Sequence, residues 1–236
     1  MSRTLEGRPA VRDPRDVGAH GIAEGAHYLS LPAPTLRTWV RGRTYPRAAG
    51  TQFSEPLIQL PDPDEALLSF TNLVEAHVLA AIRRRHGVAM QKVRPALSFL
   101  EAKLRLPHPL AHQQLLTDGV SLFIERFGQL LNLSKSGQLA VKELLKAHLR
   151  RIEHDTTGLA LRLYPFSRGE RDLQPPKLVV MDPRVAFGRP VVAGTAVRTE
   201  VIASRLKAGE SVEELAKDYG LGVPKIEAAI RYELAA

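Results

Sequence analysis

The sequence predicts a mainly α-helical protein with a small central β-sheet, an α+β fold, and three observations support this prediction. Apolar side chains recur three and four positions apart over residues 66–85 and 90–104, which is the spacing of amphipathic helices. Leu159, Leu161 and Leu163 occupy every second position, as in a strand that buries one face. The 236 residues include no cysteine, so neither disulfides nor thiolate metal sites can replace a hydrophobic core.

Composition and charge narrow the functional class. Hydrophobic residues make up 44% of the chain and charged residues 25%, which is typical of a soluble globular protein. No apolar run approaches the roughly 18 residues that a membrane-spanning helix needs, and the first twenty residues lack the apolar centre of a signal peptide. We therefore expect a cytoplasmic protein without a membrane segment. The formal net charge of +8 favours a polyanionic partner such as nucleic acid.

Local composition divides the chain into five segments. We expect a polar, aperiodic and flexible arm at the start of the chain. A Pro-rich linker is expected before the C-terminal domain, and folded regions lie on both sides of this linker. The predicted segments are an arm at 1–20, a DNA-binding region at 21–106, a small α+β region at 107–166, a linker at 167–177 and a C-terminal domain at 178–236.

The central sheet is predicted from the α+β region. The dipeptide Asp118-Gly119 is a turn signal, and residues 122–124 and 130–133 are apolar runs that we interpret as paired strands. A helix at 139–152 and a strand at 159–163 complete the region.

The first candidate site is a basic helix-turn-helix. Two short helices are expected at 22–29 and 34–41, with a turn at 30–32 between them and a loop to about residue 51 after them. In the second helix, Leu36, Trp39 and Val40 share an apolar arc of about 100°. The opposite arc carries the polar side chains Thr35, Arg37, Thr38 and Arg41.

The polar arc has the residue types that recognise the DNA major groove. Arginine binds the O6 and N7 atoms of guanine with two hydrogen bonds, and threonine contacts phosphate or the thymine methyl. No acidic residue lies between Glu24 and Glu55, so the positive potential is uncompensated there. We predict that Arg37, Thr38 and Arg41 contact bases, and that Thr35, Arg43 and Arg47 contact the phosphate backbone.

The C-terminal domain is predicted as a hairpin followed by three helices. Residues 182–195 combine turn formers with a β-branched pair, and helices are expected at 199–207, from Ser211 to about 219, and from Pro224 to about 234. Ser211 and Glu214 have the spacing of a capping box. Residues 199–236 contain five basic and seven acidic side chains, and this net negative charge favours a protein interface over DNA contact.

Two stretches resemble known families. The Thr35-Leu36-Arg37 run resembles the start of the recognition helix in MerR-like regulators, and the helices after it resemble the pair that follows the wing there. The absence of cysteine separates the chain from the metal-sensing members. The Asp182-Pro183 pair, the 188–195 run and the 208–215 run resemble a bacterial domain of unknown function found in antitoxins, with a homeodomain-like three-helix unit.

Together the two resemblances point to VapB-type antitoxins of type II toxin–antitoxin systems. They imply a homodimer that binds double-stranded DNA at its own operator and neutralises a cognate toxin, a PIN-fold ribonuclease. The sequence has neither a phosphate-binding loop nor a nucleophile elbow, so we expect no enzyme activity, no cofactor and no metal. The candidate residues for partner binding are Glu213, Glu214, Lys225, Glu227 and Arg231.

Two alternatives stay open at this point. One is a transcription regulator that senses a small molecule in its central region. The other is a protein-binding adaptor without specific DNA recognition.

Overall fold

The computed structural model describes residues 13–47, 50–83, 93–106, 108–167, 169–170 and 172–234. In this part of the chain, helices predominate and the strands form small antiparallel pairs, which confirms the predicted fold class. The helices are α1 Ile22–Tyr28, α2 Ala33–Arg41, α3 Phe70–Arg83, α4 Val93–Leu104, α5 Val120–Leu131, α6 Lys135–Leu149, α7 Thr199–Lys207, α8 Val212–Tyr219 and α9 Val223–Leu234. The strands are β1 Arg43–Arg47, β2 Gly50–Ser54, β3 Ile152–His154, β4 Ala160–Leu163, β5 Val179–Val180 and β6 Val191–Val192.

Helix α3 forms the centre of the larger hydrophobic core. Side chains on every face of this helix are buried, as expected for a helix enclosed by other elements. It packs against α6, and the core around it also contains side chains from α1, α2, α4 and α5. The sequence also predicts a turn at His86 and Gly87 between the helices at 66–85 and 90–104, and this turn lies outside the described residues.

The central strands predicted at 122–124 and 130–133 are wrong, because the first run lies inside α5 and the second spans the end of α5 and the turn that follows it. Val120, Phe123, Ile124 and Phe127 are all buried, and their spacing of three and four is helical. The following helix α6 begins at Lys135, four residues before the predicted start. The Ser134 hydroxyl caps it by accepting a hydrogen bond from the Gly137 amide at 3.2 Å.

Of the three alternating leucines, Leu161 and Leu163 lie in strand β4, whereas Leu159 precedes it and is exposed. Strand β4 pairs with β3 in an antiparallel hairpin that contains a bulge at 153–154. Leu163 is completely buried, and its backbone exchanges hydrogen bonds with Met181, which links this hairpin to the start of the C-terminal domain.

Residues 13–20, which the sequence analysis placed in a flexible arm at 1–20, contact other parts of the fold. Arg15 bridges Asp13 and Asp155, with a distance of 2.6 Å from its Nη1 to an Asp155 oxygen. The backbone of His20 exchanges hydrogen bonds with that of Leu68. A polar segment is ordered here because its charged groups find partners across the fold. Residues 1–12 lie outside the described residues.

One buried arginine contacts both the predicted linker at 167–177 and the chain just before it. Arg151 is 4% exposed and donates to the carbonyl oxygens of Tyr164 at 2.8 Å and Pro175 at 2.6 Å. Three donor nitrogens in a rigid plane let this one side chain hold two stretches of chain together. The described part of the segment is therefore attached to the domain that precedes it.

The C-terminal domain has its own core. Val179 and Val180 of β5 pair with Val192 and Val191 of β6, and α7, α8 and α9 enclose a second apolar cluster around Ile202 and Ile226. Helix α7 has the predicted bounds. The capping box is also confirmed, because the Ser211 hydroxyl accepts from the Glu214 amide while the Glu214 carboxylate accepts from the Ser211 amide at 2.8 Å.

Candidate nucleic-acid interface

Helices α1 and α2 form a helix-turn-helix on the surface of the larger core. Leu36 and Trp39 of α2 are 0% and 1% exposed, so this helix is held by its apolar arc as predicted. The turn between the helices contains Ser30 at a positive φ of 51°. Pro34 lies in the first turn of α2, where a missing amide hydrogen costs nothing.

The opposite arc of α2 faces solvent. Arg37 and Arg41 are exposed, and Thr38 is half-buried with its hydroxyl donating to the Pro34 carbonyl at 2.9 Å. Thr35 differs from the prediction, because it is only 8% exposed. On a helical wheel it lies only about 40° from Trp39 and therefore joins the buried side. The exposed arc is thus formed by two arginines and Thr38.

The segment after α2, predicted as a loop, is a β-hairpin. Strands β1 and β2 pair from Arg43 with Ser54 to Arg47 with Gly50, and the tip at 48–49 lies outside the described residues. This hairpin, which we call the wing, begins directly after Gly42 at φ 74°. A Cβ at Gly42 would lie 2.3 Å from the Ser54 carbonyl oxygen, so only glycine allows the two strands to start this close to α2.

The wing is fixed relative to α2 by the chain that leaves it. The carbonyl oxygen of Trp39 accepts hydrogen bonds from the amides of Leu57 at 2.7 Å and Ile58 at 3.0 Å. Arg43 is exposed at the base of the wing, where its guanidinium lies 4.9 Å from the centre of the Tyr45 ring. The side chain of Arg47 lies outside the described residues.

The helix and the wing therefore present one cationic surface. It combines Arg37, Thr38 and Arg41 from α2 with Arg43 from β1, and the sequence provides no carboxylate between Glu24 and Glu55 to neutralise it. Guanidiniums on the exposed face of a helix and on an adjacent hairpin can contact a major groove and a neighbouring phosphate backbone together.

One contact that the sequence analysis missed joins this helix-turn-helix to the C-terminal domain. His27 Nε2 lies 2.8 Å from a Glu233 carboxylate oxygen, and the Tyr232 hydroxyl donates to the Tyr28 carbonyl at 2.6 Å. We call these four residues the interdomain contact. No periodic pattern links α1 with α9 in the sequence, so only the fold reveals it.

The candidate partner-binding residues of the C-terminal domain have different surroundings. Glu213 and Glu227 are exposed, whereas Glu214 is occupied by the capping box. Lys225 donates to the Ala193 carbonyl at 3.0 Å and so supports the hairpin. Arg231 lines a groove beside the Pro-rich segment at 175–176. They share two neighbouring helices but no common cluster, and they stay predictions.

In the part of the chain that the structure describes, no three His, Asp or Glu side chains are arranged to hold a metal ion. The same residues contain no helix of sufficient length and apolarity to cross a membrane.

Comparisons with known proteins agree with this architecture. A family model described as "Putative DNA-binding HTH domain" matches residues 20–97, and one described as "Protein of unknown function (DUF433)" matches residues 179–232. The crystal structure of Rv2018 from Mycobacterium tuberculosis has a TM-score of 0.66 and 30% identity, and the match covers 92% of this chain and 98% of that chain.

Two proteins of Mycobacterium tuberculosis are similar in sequence. "Uncharacterized protein Rv2308" is 27% identical, over 89% of this chain and 87% of that protein. "Putative antitoxin VapB45" is 35% identical over 231 residues, which is 91% of this chain and 93% of that protein. The chain, which combines an N-terminal helix-turn-helix with a C-terminal three-helix domain, therefore belongs to the family of the putative antitoxin VapB45.

Proposed function

We propose that this protein is a DNA-binding antitoxin that represses its own operon and neutralises a cognate toxin, a PIN-fold ribonuclease. The observation that carries the DNA-binding part is the cationic surface of α2 and the wing. Arg37 and Arg41 are exposed there on a helix whose other face is buried, and Arg43 lies on the adjoining strand. The toxin partner is supported by the name of the 35% identical relative.

The proposed contacts follow from this geometry. Helix α2 enters the major groove, where Arg37, Thr38 and Arg41 meet base edges, while Arg43 and Arg47 at the wing contact phosphates. Thr35 takes a supporting role in this proposal, since its side chain is mostly buried. A homodimer would place two such helices in successive major grooves, so the operator would contain an inverted repeat with half-sites about one DNA turn apart.

The first experiment is co-expression with the product of the adjacent gene, with growth and co-purification followed together. The proposal requires that the neighbour arrests growth alone, and that this chain restores growth and binds the neighbour in a stable complex. A harmless neighbour, or a toxic one that does not bind, would overturn neutralisation and leave a DNA-binding regulator.

The second experiment measures binding to DNA from upstream of the gene, with a scrambled duplex of equal length as competitor. Sequence preference is expected for the wild-type chain and is expected to be lost in an Arg37→Ala, Arg41→Ala double variant. Equal affinity for both duplexes would instead support the adaptor alternative.

The ligand-sensing alternative has one observation in its favour. A polar cavity of about 290 Å³ lies where the chain leaving the wing meets α3 and α4. Glu75, which is 6% exposed, lines it and contacts His108 Nδ1 at 3.0 Å. A small cationic metabolite that occupied this cavity would raise the melting temperature, so a thermal-shift screen of such compounds separates this alternative from the main proposal.

A further inference from the structure

A turn in the C-terminal hairpin holds a large apolar side chain in solvent. Phe187 is 83% exposed, the highest value among the large apolar side chains that the structure describes. It lies in the short 3-10 turn Ala186–Gly188, within the loop that joins β5 to β6. By contrast, Phe123 and Phe127 in the core are 1% and 0% exposed. A side chain this exposed buries almost no apolar surface, so it contributes almost nothing to the stability of the isolated chain.

The backbone of this turn is strained. Ala186, Phe187 and Gly188 have successive positive φ angles of 48°, 56° and 78°. Residues with a Cβ atom adopt this left-handed conformation at an energetic cost, and such strain persists only where the surroundings impose it. Strained residues concentrate at binding and catalytic sites. The combination of strain and exposure therefore requires an explanation other than folding.

The base of the turn is rigid. Asp182 is 3% exposed and accepts hydrogen bonds from the Arg184 amide at 2.9 Å, from the Arg184 guanidinium at 2.7 and 2.9 Å, and from Arg162 at 3.0 Å. The Gly188 amide closes the turn by donating to the Val185 carbonyl at 3.0 Å. Phe187 is consequently presented on a preorganised loop, so binding through it would cost little conformational entropy.

The surface beside Phe187 is concave and carries two arginine side chains. An open space of about 570 Å³ lies next to the ring, with small alanine side chains and two arginines as its described lining, and none of these lining residues is acidic. Arg189 and Arg198 each have one carboxylate nearby, Glu24 at 3.3 Å and Glu200 at 3.7 Å. A guanidinium has five N–H donors, more than one such contact uses.

We propose that Phe187 is the anchor of a protein-binding surface, and that its partner presents an apolar pocket rimmed by carboxylates. Phenylalanine and arginine are both enriched at protein–protein interfaces relative to the rest of the protein surface. The carboxylate of Glu200, 65% exposed beside Arg198, would repel a continuous phosphate backbone, which favours a protein over DNA. The inference rests on the proposed function, since we identify the partner with the toxin encoded by the adjacent gene.

The surface also includes a residue from the other end of the chain. Ala19, which precedes α1, lines the same concave space as Phe187. A partner seated there would contact the C-terminal domain and the entry to the helix-turn-helix at once. This position distinguishes the surface from the exposed faces of α8 and α9, which contain Glu213 and Glu227.

The test compares Phe187→Gly with Leu139→Ala in binding to the purified adjacent gene product. Phe187→Gly removes the ring and the strain together, so affinity is expected to fall by about 30-fold or more while the melting temperature does not fall. Leu139 is 61% exposed on α6, far from this loop in the sequence, and its truncation is expected to change affinity less than twofold.

Three outcomes would overturn the inference. If the wild-type chain binds the gene product and Phe187→Gly binds it equally well, the surface lies elsewhere and the antitoxin proposal survives. If Phe187→Gly instead loses operator affinity, or changes the oligomeric state of the chain alone, the loop contacts DNA or a second copy. If the wild-type chain does not bind the gene product at all, the inference and the neutralisation proposal fall together.

Discussion

The interdomain contact offers a sharp test because one hydroxyl carries a defined part of it. In Tyr232→Phe the ring keeps its size and only the oxygen is lost. Tyr232 is 3% exposed, and its hydroxyl donates to the carbonyl oxygen of Tyr28 at 2.6 Å. Tyr28 is the last residue of α1, where helix carbonyls lack partners from their own helix. The substitution therefore leaves a buried acceptor without its donor.

The magnitude follows from that loss. Leaving one buried hydrogen-bonding group unsatisfied costs about 1–3 kcal/mol of unfolding free energy. For a chain of 236 residues, this corresponds to a fall in melting temperature of about 2–12 °C. Tyr219→Phe is the matched control, since it removes the same atom from a half-exposed ring in α8. We expect that variant to lie within about 0.5 kcal/mol of the wild type.

The assay is urea unfolding combined with amide hydrogen exchange. Urea unfolding measures the change in the free energy of unfolding, and hydrogen exchange shows which helices are destabilised. We expect faster exchange in α1, although the substituted residue lies in α9. If Tyr232→Phe unfolds like Tyr219→Phe, or if exchange accelerates in α9 alone, the hydroxyl does not hold the two domains together.

Three further predictions concern DNA binding and pH. Arg37→Ala should weaken operator binding by about 1–3 kcal/mol and relax specificity at one base pair, as measured by competition with single-base operator variants. The control, Arg126→Ala on α5, should change neither affinity nor specificity. With Arg43 and Arg47 at phosphates, the logarithm of affinity should fall with the logarithm of salt concentration with a slope of about −2 per protomer, and Arg43→Ala should make that slope shallower by about 1; an unchanged slope would exclude a phosphate contact. Burial raises the pKa of Asp182, but hydrogen bonds from its two arginine partners outweigh burial and hold this pKa at about 2. Asp182 therefore stabilises the fold above its unfolded pKa of about 3.9, and the stabilisation disappears as the pH falls through 2. The urea midpoints of the wild type and Asp182→Asn should accordingly differ at pH 6 and converge near pH 2.

The sequence predicted the three helices of the C-terminal domain well because their signals are local. The hairpin predicted at 182–195 is only partly right, because its first strand, β5, precedes that range at Val179–Val180. Helix α7 occupies the predicted residues, and the capping box at Ser211 starts α8 where expected. Such caps depend on residues within one turn of each other, so a single sequence contains all the necessary information. The buried arc of α2 was predictable for the same reason, apart from Thr35 at its margin.

Elsewhere the sequence was ambiguous or silent. The apolar run at 122–124 fits a strand or a buried helix, and the turn dipeptide before it favoured the wrong choice. The wing contains Pro46 and few apolar residues, so its strands gave only a weak signal. The interdomain contact and the exposure of Phe187 depend on distant segments, which no local pattern records.

The interdomain contact also sets an order of events during synthesis. His27 and Glu233 are 206 positions apart in the chain. At a translation rate of 5–20 residues per second, α1 waits about 10–40 s on the ribosome before the residues that support it have been made. During that interval the helix-turn-helix lacks the partner of its last turn. The end of α1 therefore gains its partners only after α9 has been made, so the helix-turn-helix is less well supported in a nascent chain than in a finished one.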